Sequence, residues 1–247
     1  MAHSEGDPRR PAGGDLGRRG EPGPNLTRVF YALPLDDPAI ARVSALVEPL
    51  RAAFPRARWA APSTYHLTLL FLGNVPAGAE TEVRAALIAA AGSVEAFECR
   101  LEQSGGFGGG RHERVVWLGL DEWAARQSAT MATILRARLA GSSTAAVRGA
   151  VAAASRAPFR VHLTLCRRAQ PELEGRLARE LAARPSIRWR ARSVELLSSR
   201  LTVAGPVHSV LAQAPLGRER GALPSGGRRG TSGAADHDPD AETVGSP

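Results

Sequence analysis

The chain has 247 residues, enough for one or two domains with a proper core, and its hydrophobic fraction of 43% is ordinary for a globular protein. The formal net charge is +8, every basic residue is Arg, and no apolar run approaches the roughly 20 residues that cross a bilayer. These features argue against a membrane protein. Since the N-terminus also lacks an apolar signal segment, a cytoplasmic location is expected.

The excess of Arg has two interpretations. Arg grips phosphate through paired hydrogen bonds, which favours a polyanionic partner. Arg, Ala, Gly and Pro also rise together in GC-rich genomes, so codon bias explains the composition equally well. The two cysteines, Cys99 and Cys166, lie far apart and form no C-x-x-C pattern. That spacing argues against a disulfide framework or a zinc finger.

The ends of the chain differ in composition from its middle. Residues 1–25 are rich in Pro, Gly and Arg, and residues 217–247 are rich in Gly, Ser, Arg and Asp. Such segments cannot bury a core, so both are predicted to be disordered. The folded unit is therefore expected to cover residues 26–216.

Strands and helices are predicted to alternate along this unit. Short apolar runs predict strands, and apolar residues three or four apart predict helices. In chain order the first half predicts a strand at 28–33, a helix begun by Asp36-Asp37-Pro38, a strand at 65–72, a helix at 80–91 and a strand at 97–101. The second half predicts a strand at 114–120, a helix at 122–140, a strand at 159–166, a helix at 171–183, a strand at 187–197 and a hairpin of 201–203 with 207–211.

The order strand, helix, strand, helix, strand therefore occurs twice, and the middle strand of each copy contains His-Leu-Thr-Leu, at 66–69 and at 162–165. An internal repeat of this kind predicts two similar lobes. We expect an α+β fold in which antiparallel-rich sheets are backed by helices. The pseudo-symmetric lobes, about 26–104 and 112–216, would be interleaved around a central groove.

The repeated tetrapeptide carries the candidate chemistry. Side chains alternate along a strand, so His66 and Thr68 share one face, and His162 and Thr164 share the equivalent face. If the two faces meet across a groove, one neutral imidazole can accept a proton from an attacking oxygen and one protonated imidazole can donate a proton to a leaving oxygen. The Thr hydroxyls can donate to the phosphate oxygens. This set suits phosphodiester chemistry.

These residues also allow other interpretations. A single His-x-Thr on a strand is more often structural, but two identical copies at equivalent places favour function. A zinc site is weaker, because no Asp, Glu or Cys lies at ligand spacing near either motif. Period-two alternation puts Cys166 on the face of His162. Arg167 is equally compatible with holding a phosphate and with a solvated strand end.

The glycine-rich stretch 104–111 precedes the strand at 114–120. It lacks the Lys-Ser/Thr of a phosphate-binding loop and does not lead into a helix, so a mobile loop is predicted. Phe107 within it is either a base-stacking residue or an anchor of the loop. The histidines outside the repeated motif, including His208, receive no role.

The pattern resembles the bacterial and archaeal RNA 2′,3′-cyclic phosphodiesterases, also called 2′-5′ RNA ligases, of the 2H phosphoesterase superfamily (LigT-like fold). The resemblance covers nearly all of 26–216. The matching segments are RVFYALPL at 28–35, RWAAPSTYHLTLLFLGNV at 58–75, RVVWLGL at 114–120, FRVHLTLCR at 159–167 and SSRLT at 198–202. Cys166 stands where the family often has a small residue, and the long ends are a second departure.

The resemblance implies hydrolysis of RNA 2′,3′-cyclic phosphates to 2′-phosphates, without a metal or another cofactor. It implies that His66 is the proton donor and His162 the proton acceptor, while Thr68 and Thr164 hold the phosphate. The expected partner is RNA with a cyclic phosphate end, bound by a monomer. Three alternatives stay open: a 2′-5′ RNA ligase, a 2′,5′-oligonucleotide phosphodiesterase, and a non-catalytic RNA-end binding module.

Overall fold

The computed structural model describes residues 26–109, 112–156, 158–203 and 205–217. This part of the chain contains nine strands and five α-helices. The strands are β1 (Leu26–Pro34), β2 (Arg58–Trp59), β3 (His66–Pro76), β4 (Phe97–Gly109), β5 (His112–Leu120), β6 (His162–Arg167), β7 (Ile187–Ala191), β8 (Ser193–Thr202) and β9 (Gly205–Pro215). The helices are α1 (Asp37–Ala53), α2 (Glu80–Ala91), α3 (Glu122–Leu139), α4 (Ala145–Ala154) and α5 (Pro171–Ala182).

The strands form two antiparallel sheets. One has the order β3-β1-β8-β9, and the other has the order β2-β6-β5-β4-β7. The strands β3 and β6, which carry the repeated tetrapeptide, contact each other where the two sheets meet. Each sheet thus contributes one copy of His-Leu-Thr-Leu to the junction between the two sheets.

The sheets do not divide the chain at the predicted lobe boundary of about 104–112. Strands β2 and β4 from the first half join the second sheet, and β8 and β9 from the second half join the first. The predicted single strand at 187–197 is two strands that are separated by Arg192 and lie in different sheets. The buried positions explain the break, because they are Ile187, Trp189 and Ala191 in β7 but Val194 and Leu196 in β8.

Helices cover the apolar faces of the sheets and complete one large core. Helix α1 packs on α5 and β7, while α2 packs on α3 and on the β8–β9 hairpin. Asp36 caps α1, its side chain accepting from the Ala39 amide at 2.9 Å, and Asp121 caps α3 by accepting from the Ala124 amide at 3.0 Å. An oxygen at this position satisfies an amide that has no partner within the helix. The predicted start of α1 is confirmed, whereas α4 was not predicted.

The glycine-rich stretch is a strand and not the predicted mobile loop. Strand β4 continues to Gly109 and pairs with β5 along this stretch. The Trp117 ring lies against Gly105, where an added Cβ would come within 2.6 Å of Cζ2. The glycine is therefore needed for the close approach of a large ring to the sheet. Residues 110 and 111 lie outside the described residues.

The predicted disordered leader, 1–25, lies outside the described residues, and so does the predicted tail beyond Gly217. Gly217 itself was assigned to the tail. Its amide donates to the carbonyls of Ala91 at 3.1 Å and Val94 at 2.8 Å. The hydrogen-bonded structure therefore includes at least this residue.

Candidate active site

The two His-Leu-Thr-Leu strands bury the same positions. Leu67, Leu69, Leu163 and Leu165 are at most 2% exposed, and the histidines and threonines between them are partly buried. Burying one Leu side chain stabilises a fold by about 1.5–3 kcal/mol, so the Leu face fixes which way each strand turns. The predicted alternation therefore holds in both lobes, and the His/Thr faces are turned away from the core.

Each of these strands has an irregularity at its second Leu. In β3 the register passes from Thr68 to Leu70, and in β6 it passes from Thr164 to Cys166. A β-bulge of this kind adds one residue and reverses the alternation beyond it. The residue after the bulged pair is exposed in both cases: Phe71 in β3 and Arg167 in β6.

The bulge corrects the expectation for Cys166. Alternation without a bulge puts its thiol on the face of His162, but the side chain is fully buried in the core. Burial raises the pKa of the thiol to about 11, since a thiolate is poorly solvated there. Arg167 takes the outward position instead, and its charge acts on His162.

The two imidazoles are anchored in the same way. Nδ1 of His66 donates to the Thr64 carbonyl at 2.8 Å, and Nδ1 of His162 donates to the Arg160 carbonyl at 2.8 Å. Because a carbonyl only accepts, the proton of each neutral ring is held on Nδ1, leaving the Nε2 lone pair for chemistry. Thr68 Oγ1 lies 3.1 Å from Nε2 of His66.

The ring of His66 has aromatic neighbours. Its centroid is 4.8 Å from that of Phe30 and 5.2 Å from that of His208, which meets it edge-on. The pKa of His66 is lowered to about 4, mainly by burial and in part by the charges of His208 and His162, while the bond to Thr64 opposes the shift. In the free protein this imidazole is therefore neutral at pH 7.

The ring of His162 has both aromatic and cationic neighbours. Phe107 meets it edge-on with centroids 4.9 Å apart, and Trp117 lies at 6.1 Å. Burial lowers the pKa of His162, and the positive charges of Arg167 and Arg160 lower it as well, because they disfavour a third cation. Both histidines of the free site therefore favour the neutral form.

Two flat surfaces flank the histidines. The Phe107 surface comprises Phe107, Trp117 and Arg160: the aromatic rings stack 5.2 Å apart, and the guanidinium lies 5.4 Å from the Trp117 ring. The Phe71 surface comprises Phe71 and Arg28, whose guanidinium lies 4.7 Å above that ring.

The structure thus brings four of the five predicted residues, His66, Thr68, His162 and Thr164, onto the facing strands, with Arg167 on the same side as His162. The sequence did not assign roles to His208 and Arg160. The position of Arg160 could have been recognised in the sequence, since it precedes His162 by two residues as Thr64 precedes His66. No sequence pattern pointed to His208, because it reaches His66 through the pairing of β9 with β8.

Among the described residues no three His, Cys, Asp or Glu side chains are grouped as a metal would require. In the same part of the chain no helix is both long and apolar enough to cross a membrane.

The comparisons with known sequences point to the same family. The model of the "2′-5′ RNA ligase superfamily" matches residues 35–202, more than half of the chain. A Geobacillus stearothermophilus protein named RNA 2′,3′-cyclic phosphodiesterase is 29% identical over 143 residues, covering 58% of this chain and 42% of that protein. A Methanothermobacter thermautotrophicus protein of the same name is 31% identical over 94 residues, covering 38% of this chain and 51% of that protein. The chain thus spans about half the length of the curated relatives that it matches.

Solved structures cover more of the chain. The crystal structure of TT0787 of Thermus thermophilus has a TM-score of 0.59 and 28% identity, covering 78% of this chain and 99% of that one. Escherichia coli LigT in apo form has a TM-score of 0.57 and 24% identity with the same coverage. These likenesses confirm the predicted α+β fold with its two lobes.

Proposed function

Because the chain belongs to the 2′-5′ RNA ligase superfamily, we propose that it hydrolyses RNA 2′,3′-cyclic phosphodiester ends to 2′-phosphomonoesters. Two relatives carry the name RNA 2′,3′-cyclic phosphodiesterase, but their alignments span only 42% and 51% of those proteins. The reaction, the RNA substrate, the cytoplasmic location and the monomeric state are therefore all parts of this proposal.

One observation carries the proposal: the two imidazoles are held by the same hydrogen bond. Each Nδ1 is fixed to the carbonyl two residues earlier, at 2.8 Å in both lobes. This bond fixes the tautomer and the ring orientation, which acid–base catalysis needs and structural packing does not. A pair of such rings facing one groove can supply an acid and a base without a third group.

In the proposed reaction His162 is the base and His66 is the acid. His162 Nε2 accepts a proton from water as the water oxygen forms a bond to phosphorus. The bond between phosphorus and the 3′ oxygen breaks, and His66 Nε2 donates its proton to that oxygen. Thr68, Thr164 and Arg167 bind the non-bridging phosphate oxygens, where negative charge accumulates.

The low pKa of His66 is compatible with a donor role once substrate is bound. A phosphodiester carries a negative charge, and an anion within a few ångströms favours the imidazolium form of both histidines. In the partly buried groove this attraction is stronger than in water. The proton on His66 is therefore expected to enter together with the substrate.

The proposed mechanism requires no metal, and this is tested directly. A short RNA ending in a 2′,3′-cyclic phosphate is incubated with the purified protein, with and without excess chelator, and the product is resolved as a 2′- or 3′-phosphate. We expect equal rates and only 2′-phosphate. The double variant His66→Ala/His162→Ala controls for contaminating ribonuclease. Loss of turnover with chelator and its recovery with zinc or magnesium would refute the two-histidine mechanism.

The same groups run in reverse join RNA through a 2′-5′ linkage, so a ligase or a 2′,5′-oligonucleotide phosphodiesterase would use the same site. Hydrolysis is favoured because water is abundant. If the wild-type protein binds the cyclic end but does not turn it over, the non-catalytic binding module replaces the proposed function.

A further inference from the structure

A pocket of about 350 Å³ opens between α1, the end of α5 and the segment that leads into β7. Its volume lies in the range of small-molecule sites in proteins. The residues of this α1–α5 pocket that bear on ligand binding are Arg42, Leu46, Leu181, Arg184, Ser186 and Ile187. None of them has a part in the proposed reaction, so the pocket is a separate feature of the fold.

The α1–α5 pocket lies behind the sheet that carries His162. At Gly105 an added Cβ would meet the Trp117 ring, which lies beside His162. At the next residue, Gly106, an added Cβ would meet Glu174 of α5. Since successive residues of a strand point to opposite faces, α5 covers the face that is turned away from His162. A ligand in this pocket would therefore not occupy the groove.

The floor of the pocket is aliphatic and contains one buried hydroxyl. Leu46 and Ile187 are 1% and 4% exposed, and Leu181 packs against the same core. Ser186 Oγ, next to Ile187, is buried and has no hydrogen-bond partner among the described residues. Because most buried hydroxyls in proteins are hydrogen-bonded, this one suits a ligand that brings an acceptor oxygen. The described lining includes no aromatic ring, so it fits an aliphatic chain better than a nucleobase.

Two arginines make the mouth of the pocket cationic. Arg184 reaches toward α1, where its Nη1 donates to the Ala45 carbonyl at 3.4 Å. Its Nη2 lies 3.4 Å from Oε2 of Glu180, but that carboxylate also pairs with Arg176 at 3.5 Å. In the described part of the chain Arg42, the second arginine, is in no ion pair. The mouth therefore has an excess of positive charge and unused N–H donors for an anion.

We propose that the α1–α5 pocket is a binding site for a small aliphatic anion. Its carboxylate or monophosphate head accepts hydrogen bonds from Arg42, Arg184 and Ser186, since guanidinium groups bind both kinds of head strongly. Its hydrocarbon chain lies on the aliphatic floor. A phosphate of RNA has no such chain, and a neutral apolar molecule leaves the cationic mouth without a partner. This site does not depend on the proposed function.

Calorimetry with the full-length protein and four ligands tests both halves of the site. Octanoate and octyl phosphate have the head and the chain, octanol has the chain alone, and acetate has the head alone. We expect octanoate or octyl phosphate to bind at least about tenfold more tightly than octanol, because the head forms charged hydrogen bonds. We expect at least about the same margin over acetate, because two buried methylene groups already contribute that much.

Three substitutions test the residues that hold the head. Arg42→Gln, Arg184→Gln and Ser186→Ala should each raise the Kd of the tighter ligand by about 10–150-fold, the range for loss of a hydrogen bond to a charged group. Arg184→Lys keeps the charge and should lose less than Arg184→Gln. Arg138→Gln, at an exposed position on α3, is the control and should leave the Kd unchanged. Ser186→Ala should not lower the melting temperature of the free protein, since it removes a buried hydroxyl that has no partner among the described residues.

The proposal is overturned if neither octanoate nor octyl phosphate binds, or if octanol binds as tightly as they do. It is also overturned if Arg184→Gln or Ser186→Ala leaves the Kd unchanged. Arg42→Gln and Arg184→Gln should not alter KM for a long RNA with a cyclic phosphate end. A rise in that KM with an unchanged octanoate Kd would assign the two arginines to RNA binding and overturn the proposal.

Discussion

The surroundings of His66 and His162 differ, although the strands that carry them are built alike. Both strands bury their Leu pair, bulge at the second Leu and fix Nδ1 to a carbonyl 2.8 Å away. After the bulge, however, β3 presents Phe71 and β6 presents Arg167. The repeated motif therefore sets ring geometry, whereas the residues around it set the charge.

The difference in charge has consequences for the two rings. Burial lowers the pKa of both, but His66 faces Phe30 and His208, whereas His162 lies within reach of Arg160 and Arg167. Two arginines therefore act on His162, whereas no arginine acts on His66. We expect the residues around His162 to contribute more to phosphate affinity than those around His66.

The largest expected effect comes from removing the imidazoles themselves. His66→Ala and His162→Ala should each lower kcat on an RNA cyclic phosphate by roughly 10²–10⁴-fold, because each removes an acid or a base. Both variants should fold, as judged by thermal melting, since the rings face the groove. The double variant should lose less than the product of the two single losses. Near-wild-type rates in both single variants would contradict the catalytic assignment.

The pH profile sharpens the comparison. The base must be neutral and the acid protonated, and burial lowers both pKa values in the free protein. We therefore expect both limbs of the kcat/KM profile to lie below about pH 6.5, the ordinary pKa of imidazole, with activity falling on either side. The limbs of kcat should lie at higher pH, because the bound anion raises both pKa values. A kcat/KM profile centred above neutral pH would contradict this electrostatic account.

A smaller effect is expected from Arg167→Gln, which makes the His162 lobe less cationic. Loss of a charged hydrogen bond costs about 1.5–3 kcal/mol, so KM should rise by roughly 10–150-fold. Removing the positive charge should also raise the pKa of His162 and move the limb of kcat/KM that His162 sets to higher pH. Arg138→Gln, at an exposed position on α3, is the matched control. An unchanged KM would assign Arg167 to a solvated strand end.

The smallest effect is expected at Cys166, which the bulge turns into the core. The native protein should not react with a bulky thiol reagent, because both Cys99 and Cys166 are fully buried. Cys166→Ala should keep kcat while losing about 1 kcal/mol of stability, the typical cost of a point substitution. Labelling of the folded enzyme with loss of activity would show that the thiol faces the groove after all.

Alternation and helix capping were sufficient to predict much of this fold. They gave the buried Leu faces of the repeated motif, the start of α1 at Asp36 and the two-lobed class. Alternation could not reveal the bulges, since a single extra residue changes the facing of Cys166 and Arg167 without any mark in composition.

The pairing of strands distant in sequence was the second feature that could not be predicted. The shift of buried positions between Ala191 and Val194 was visible in the sequence and signals the change of sheet, but it does not say which sheet β8 joins. His208 reaches His66 only through that pairing. The strand through Gly105 was missed because glycines usually indicate a loop, and the reason for them is the Trp117 ring lying on the sheet.

The different roles of the two histidines are tested most directly with a nitrophenyl phosphodiester, because its leaving group needs no proton. On this substrate His66→Ala should regain a rate close to that of the wild-type protein, since the missing acid is no longer needed. His162→Ala should stay slow, since water still needs its base. Rescue of His162→Ala instead of His66→Ala would contradict the assignment and exchange the donor with the acceptor.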